Sequence, residues 1–204
     1  MNRPGHESST AEEKLLVQSV EKGDADAFKL VVKKYEKLVF SIVYKMVADA
    51  GDREDICQDV FVKVYEKMAL FRFESRLSTW IGSIAFRHCL DHIKRKKPLL
   101  VEDPADGIRN DVNERQGIHI APDESGARPD ELLMSKERVV MLYRAINELS
   151  PVQKTVLNLF YQQEFSLEET ARVTGLPVNT IKSHLFRARK ELKDHIIKQM
   201  SHGT

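Results

Sequence analysis

Apolar residues recur at helical spacing in segment after segment of this chain, and no stretch alternates in the way a half-buried strand would. After a polar start over residues 1–10, expected to be disordered, Ala11 to Lys22 predicts a short helix with Leu15, Leu16, Ser19 and Val20 inward, ended by Gly23. Asp24 is placed to cap a second helix from about Ala25 to Val47, the longest, in which Phe28, Val31, Tyr35, Leu38, Ile42 and Met46 form one stripe. Gly51 interrupts the pattern. Asp52 then opens a third helix, with Ile56, Val60, Phe61 and Val64 on one side and Asp52, Asp55, Gln58, Asp59 and Lys63 on the other. The stretch Phe71 to Thr79 is too irregular for a helix, and Ser78 or Thr79 is expected to cap the next one. That fourth helix buries Trp80, Ile81, Ile84, Ala85 and Ile93, carries Arg87, Asp91, Lys94 and Arg95 on another face, and stops at Pro98.

Periodicity lapses from Pro98 to Asp130, which holds four prolines and three glycines and reads as a linker. Fully stretched, it could reach up to roughly 100 Å, so the halves need not touch. Helical spacing resumes from Glu131 to Leu149, with Leu132, Val139, Leu142 and Ile146 inward. Ser150 and Pro151 suit the start of another helix, with Val152, Val156, Leu159 and Phe160 buried.

Two helical patterns around a break follow. Ser166 and Glu169 form a capping box ahead of Leu167 and Ala171, Gly175 can adopt the left-handed conformation that ends a helix, and Pro177 is tolerated where the next begins. In that last helix Ile181, Leu185, Ala188 and Leu192 form the buried seam, while Asn179, Ser183, Phe186, Arg187 and Lys190 lie opposite, flanked by Lys182 and Arg189. This is a helix-turn-helix with a face suited to the DNA major groove. The competing reading is an amphipathic hairpin whose charged face is merely solvated. The expected fold is all-α: two small helical domains, 11–97 and 132–199, joined by an acidic linker at 98–131 and followed by a tail at 200–204, with the helix-turn-helix in the second domain.

Charge alters this picture through its distribution. The 32 basic and 31 acidic residues leave a formal net charge of +1. Yet Pro98 to Leu132 contains nine acids against three arginines, whereas Gly82 to Lys97 and Leu176 to Gln199 each carry a net charge of +4. Two basic helices therefore flank an acidic tether. The KRKK run ending the fourth helix exceeds what the helix dipole requires and suggests contact with phosphate. The acids opening the third helix suit either dipole stabilisation or a protein-docking face. Linker acidity fits solubility, or passage through a basic nucleic-acid channel.

Cys57 and Cys89 belong to no metal-binding or disulfide pattern, and His88 and His92 read as core or groove residues. No Gly-rich phosphate loop, metal-ligand cluster or nucleophile elbow marks an enzyme, so neither catalysis nor a cofactor is expected. The N-terminal MNRPGHESST lacks an apolar run and no segment has the length of a membrane span, which points to a reducing, cytoplasmic setting.

Four segments, in order, resemble the extracytoplasmic-function (ECF) sigma factors of bacterial RNA polymerase. GDADAFKLVVKKY is similar to the opening of the family's first domain, DREDICQDVFVKVY to its polymerase-docking segment, STWIGSIAFRHCLDHIKRKK to its −10 segment, and LSPVQKTVLNLFYQQEFSLEETARVTGLPVNTIKSHLFRARKEL to its −35 domain. The resemblance implies binding of core RNA polymerase through Asp52, Asp55, Gln58 and Asp59. It further implies capture of the unpaired −10 strand by Phe73, Glu74, Ser75 and Arg76, backed by Arg87, Asp91, Lys94 and Arg95, with Trp80 assigned to packing. Duplex at −35 would be read by Lys182, Ser183, Phe186 and Arg187, supported by Asn179, Thr180 and Arg189. An anti-sigma factor is an expected partner.

One position departs from the pattern. Arg87 replaces the usual asparagine and Phe86 precedes it, so DNA contact carries over without the base preference; Arg87 favours an acceptor-rich base or a phosphate. Two other readings stand beside this one: a stand-alone helix-turn-helix regulator, and an interaction or anti-sigma protein that binds no DNA.

Overall fold

The computed structural model describes residues 6–96 and 140–201, and every regular element among them is helical. Helices α1 (His6–Glu21), α2 (Ala25–Met46), α3 (Ala50–Lys67) and α4 (Leu77–Lys96) form the first bundle. The second comprises α5 (140–148), α6 (Pro151–Leu157), α7 (Leu167–Thr174) and α8 (Val178–Ser201). The expected linker, with Leu132 and Val139, lies outside the described residues.

Local chemistry sets the boundaries. Gly23 (φ 87°) ends α1, and the Asp24 carboxylate accepts from the Asp26 and Ala27 amides at 2.9 and 3.1 Å. Asp49 caps α3 by accepting from the Gly51 amide at 3.0 Å, so Gly51 lies within the first turn of α3 and does not break it. Helix α4 begins at Leu77 and takes in Ser78 and Thr79, the residues expected to cap it. Helix α1 starts at His6, inside the stretch expected to be disordered.

The stripe on α2 is largely as expected: Val31, Tyr35, Leu38, Ile42 and Met46 are buried, and Phe28 is part-buried against the same core. Because α2 touches α1, α3, α4 and α6, it forms the centre of the molecule. The Tyr35 hydroxyl donates to Glu13 at 2.7 Å, and Lys34 pairs with the same carboxylate at 3.0 Å, fastening α1. Burial, then Glu13, pushes the Tyr35 phenol well above its ordinary range. Two inward assignments are corrected. Leu15 is exposed while Val17 is fully buried, and Leu142 is exposed while Ala145 and Leu149 are buried. The rest of each assignment holds at least in part: Val20 is buried as expected, and Leu16, Ser19 and Ile146 are part-buried.

Arg53 is a buried cation on α3. Its Nε donates to the Val47 carbonyl at 2.9 Å and its Nη2 to the Ala48 carbonyl at 2.8 Å, while the guanidinium lies 5.0 Å from the centre of the Tyr44 ring. These bonds close the α2–α3 turn.

In the second bundle the Ser150–Gln153 capping box starts α6, and α6 passes into a π-helical turn at Asn158–Gln162 that periodicity does not reveal. Sharing a core, the two bundles pack directly: Ile42, Ile81, Val156, Val173 and Ile181 belong to one buried cluster.

Candidate nucleic-acid and polymerase interface

The helix-turn-helix is built as the sequence pattern requires. The Glu169 amide donates to Ser166 Oγ at 3.0 Å, and the Ser166 amide donates to Glu169 Oε2 at 2.8 Å. Gly175 takes φ 73° and its amide reaches the Ala171 carbonyl at 2.8 Å, which turns the chain into α8. Ile181, Leu185 and Ala188 are buried, whereas Leu192 is only partly covered. His184, overlooked in the seam, is also buried; its spacing of three from Ile181 and four from Ala188 was the available signal.

With that stripe turned inward, Asn179, Lys182, Ser183, Phe186, Arg187 and Arg189 are exposed and Thr180 is half-buried. Phe186 is 65% exposed, an unusual state for a large aromatic on a well-packed helix. The Ser183 hydroxyl donates to the Asn179 carbonyl at 3.0 Å, and Arg189 Nε donates to the Leu185 carbonyl at 3.1 Å, so both side chains lie along their own helix.

The −10 candidates occupy α4 and the loop before it. Phe71 is buried and anchors the loop, with ring centroids 4.7 Å from Phe73 and 5.2 Å from Trp80. Trp80 is half-buried against this anchor, consistent with packing. Phe73 sits at φ 58° with its ring partly exposed; the left-handed region costs a side-chain-bearing residue about 1–2 kcal/mol. Glu74 and Arg76 are exposed and Ser75 partly so. Further along α4, Arg87, Asp91, Lys94 and Arg95 are exposed on one side. At 1.5 Å per residue, Arg76 and Arg95 stand roughly 28 Å apart along the axis, so the set forms a track and not one pocket. Phe86 is buried at 2% exposure, which explains an apolar residue just before the outward-facing Arg87.

The acidic face of α3 divides in two. Asp55 and Gln58 face solvent, whereas Asp52 and Asp59 are engaged by α4. Asp52 meets His92 Nε2 at 3.1 Å and Lys96, and Asp59 approaches His88 Nε2 at 3.4 Å. Lys96 also bonds Asp49 at 3.1 Å. The lysine holds the Asp49 carboxyl below its ordinary range, and Asp52, then Asp49, raise the Lys96 ammonium. The phosphate-contact reading of the basic run therefore needs correcting at Lys96, which ties α4 to α3; Lys94 and Arg95 remain exposed, and Lys97 lies outside the described residues. His88 is buried with its Nδ1 2.6 Å from Lys63 Nζ, and burial, then the lysine, lowers its pKa.

Among the described residues no group of three His, Cys, Asp or Glu side chains is placed to hold a metal, and no helix is long and apolar enough to cross a membrane. Cys57 and Cys89 are buried free thiols, pushed up to about 11 and about 12 by burial.

Comparison with known proteins decides between the readings. Residues 31–98 match Sigma-70 region 2, and residues 140–192 match Sigma-70, region 4. The ECF RNA polymerase sigma-E factor of Escherichia coli K12 is 31% identical over 190 residues, covering 90% of this chain and 94% of that protein. The chain belongs to the ECF sigma factors. SigW of Bacillus subtilis is 29% identical over 182 residues, covering 88% of this chain and 94% of that protein. The fold is shared with the sigma factor RpoE of Bartonella quintana, solved with the anti-sigma factor NepR (TM-score 0.59, 20% identity, 83% of this chain and 96% of that one). It is shared too with CnrH, solved with the cytosolic domain of CnrY (TM-score 0.58, 17% identity, 90% and 96%).

As an ECF sigma factor, the protein is a transcription initiation factor whose partners are core RNA polymerase and promoter DNA. A stand-alone helix-turn-helix regulator leaves the region 2 match without a role, and a protein that binds no DNA leaves region 4 without one.

Proposed function

We propose that this ECF sigma factor works in the cytoplasm by reading −35 duplex with α8 and holding the unpaired non-template −10 strand along the loop 71–76 and α4. The observation that carries this reading is the presence, on one chain, of two separate exposed cationic surfaces, each with an exposed aromatic: Phe186 beside Lys182 and Arg187, and Phe73 beside Arg76. Lysine and arginine donate to guanine acceptors and phenylalanine packs on thymine methyls. On the other surface, a base leaving the duplex costs a few kcal/mol, which stacking and a basic track can offset without nucleotide hydrolysis or a cofactor.

Asp55 and Gln58, with the outer edges of Asp52 and Asp59, would meet a basic surface of the polymerase, where charge sets register and encounter rate. The sigma factor RpoE solved with the anti-sigma factor NepR supports a partner of that kind here. Permanganate footprinting of holoenzyme on a promoter tests the proposal: thymines of the non-template −10 strand become reactive with the wild type and much less so with Arg87→Ala. Equal reactivity would remove Arg87 from the −10 track.

A further inference from the structure

Where α6 crosses α2, the Asn158 amide donates to the Ser41 hydroxyl at 2.9 Å. Lys45 stands one turn further along α2 and Lys154 one turn back along α6, so both lysines lie on the seam beside that bond. Each is part-buried, and among the described residues neither makes a hydrogen bond or an ion pair. The seam ends at the α2–α3 turn, where Arg53 is 6% exposed. Arg53 commits Nε and Nη2 to the Val47 and Ala48 carbonyls and lies over the Tyr44 ring, while its Nη1 has no bond among the described residues.

These cations sense one another. Burial, then the Lys45 charge, and last Arg53 hold the Lys154 ammonium below its ordinary range, against a smaller pull from Glu148; burial lowers Lys45. The carboxylates nearby do not neutralise the group: Glu148 is exposed and forms no ion pair with Lys154, and Asp49, which feels Arg53, is engaged by Lys96 at 3.1 Å. Lys34 and Lys96, by contrast, each have a carboxylate partner. Positive charges held together away from bulk water without a counter-charge oppose folding, and an anion that enters among them relieves that cost.

We propose that Lys45, Arg53 and Lys154 form a binding site for a small phosphorylated anion at the crossing of α2 and α6. A phosphoryl group carries several acceptor oxygens and more than one negative charge, which suits one guanidinium and two ammonium groups better than a single carboxylate does. The part-burial of both lysines on two packed helices admits a compact anion and disfavours a continuous strand. None of the three residues belongs to α4, α8 or the loop 71–76, so this site is separate from the surfaces assigned to promoter DNA.

Thermal melts of the full chain in inorganic pyrophosphate, with sodium chloride at equal ionic strength as the control, test the proposal. At about a hundredfold excess over its dissociation constant, pyrophosphate is expected to raise the melting temperature by roughly 5–10 °C, well beyond chloride. Lys45→Met/Lys154→Met is expected to melt at or above the wild type without ligand, because the opposed charges are gone, and to bind pyrophosphate roughly tenfold or more weakly by calorimetry. Should that pair fail to fold, Lys45→Gln and Lys154→Gln, taken singly, are each expected to weaken binding severalfold. A pyrophosphate shift no larger than that of chloride, or equal binding by the wild type and the lysine variants, would overturn the proposal. Tighter binding of a short single-stranded oligonucleotide than of pyrophosphate at the same lysines would assign them to a nucleic-acid backbone and overturn it likewise.

Discussion

Phe186 gives the sharpest separation of DNA contact from folding. A phenylalanine can bury about 150–250 Å², and with 65% of this residue still exposed, roughly 100 Å² or more remains to be covered by DNA. At ~25 cal/mol per Å² its complete burial would contribute about 2.5–4 kcal/mol. One face of the ring against a thymine methyl would realise about 1–2 kcal/mol of that, a loss of roughly 5- to 30-fold in affinity on truncation. Phe186→Ala should leave the fold intact, because an exposed helical site gains propensity with alanine and surface changes usually stay within about 0.5 kcal/mol. Its neighbour Leu185, 3% exposed, supplies the contrast: Leu185→Ala should cost about 2–5 kcal/mol of stability. Holoenzyme binding to fluorescent promoter DNA, run over variants of each −35 base pair beside thermal melts, reads both quantities. Phe186→Ala is expected to weaken binding and to flatten preference at one base pair with an unchanged melt. Unaltered affinity and preference would refute the placement of this face on DNA.

Four other substitutions probe the remaining contacts. Asp55→Lys is expected to weaken binding to core polymerase with little change in melting temperature, measured by competition against a labelled sigma factor; Asp52→Ala should lower both, since it also frees Lys96 and His92. Arg53→Met should cost about 2–4 kcal/mol in urea unfolding, because two carbonyls at the α2–α3 turn lose charged donors. The depressed His88 pKa means that the unfolded chain binds the proton more readily than the folded one, so stability should fall as pH drops below about 6.5 and level off below the folded-state pKa. His88→Gln should flatten that part of a melting-temperature profile between pH 7.5 and 5, and an unchanged slope would assign it to other groups.

How far the sequence reveals such features depends on the range of the interaction. Most caps and turns were legible because their partners lie within four residues: Asp24, the Ser150–Pro151 start, the Ser166–Glu169 box and the left-handed Gly175, with Ser78 and Thr79 the exception. The α2 stripe was legible because one strongly apolar face leaves no alternative. Leu15 and Leu142 were misplaced because the weakly amphipathic α1 and α5 offer two faces, and only a neighbouring helix decides between them.

Long-range pairings left no local trace. Lys96 reaches Asp52 across 44 positions and His92 reaches it across 40, so the basic run looked wholly available to phosphate. Direct packing of the two bundles was likewise hidden. Gly82 reads as a weak spot in a helix, and its use as a seat for Val173 appears only in three dimensions. Phe86 and Arg87 show both sides of this: an apolar residue in an unexpected place proved to be core, which fixes the direction of its neighbour.

A sigma factor gives core polymerase the ability to choose a start site, and this one chain should suffice for that. Purified core enzyme, a fragmented library of the host's genomic DNA and the full-length protein suffice, with transcript 5′ ends mapped by sequencing. Discrete starts, each preceded by two shared sequence elements at a fixed separation and absent without the protein, are the expected result. Starts unchanged by its addition would contradict it.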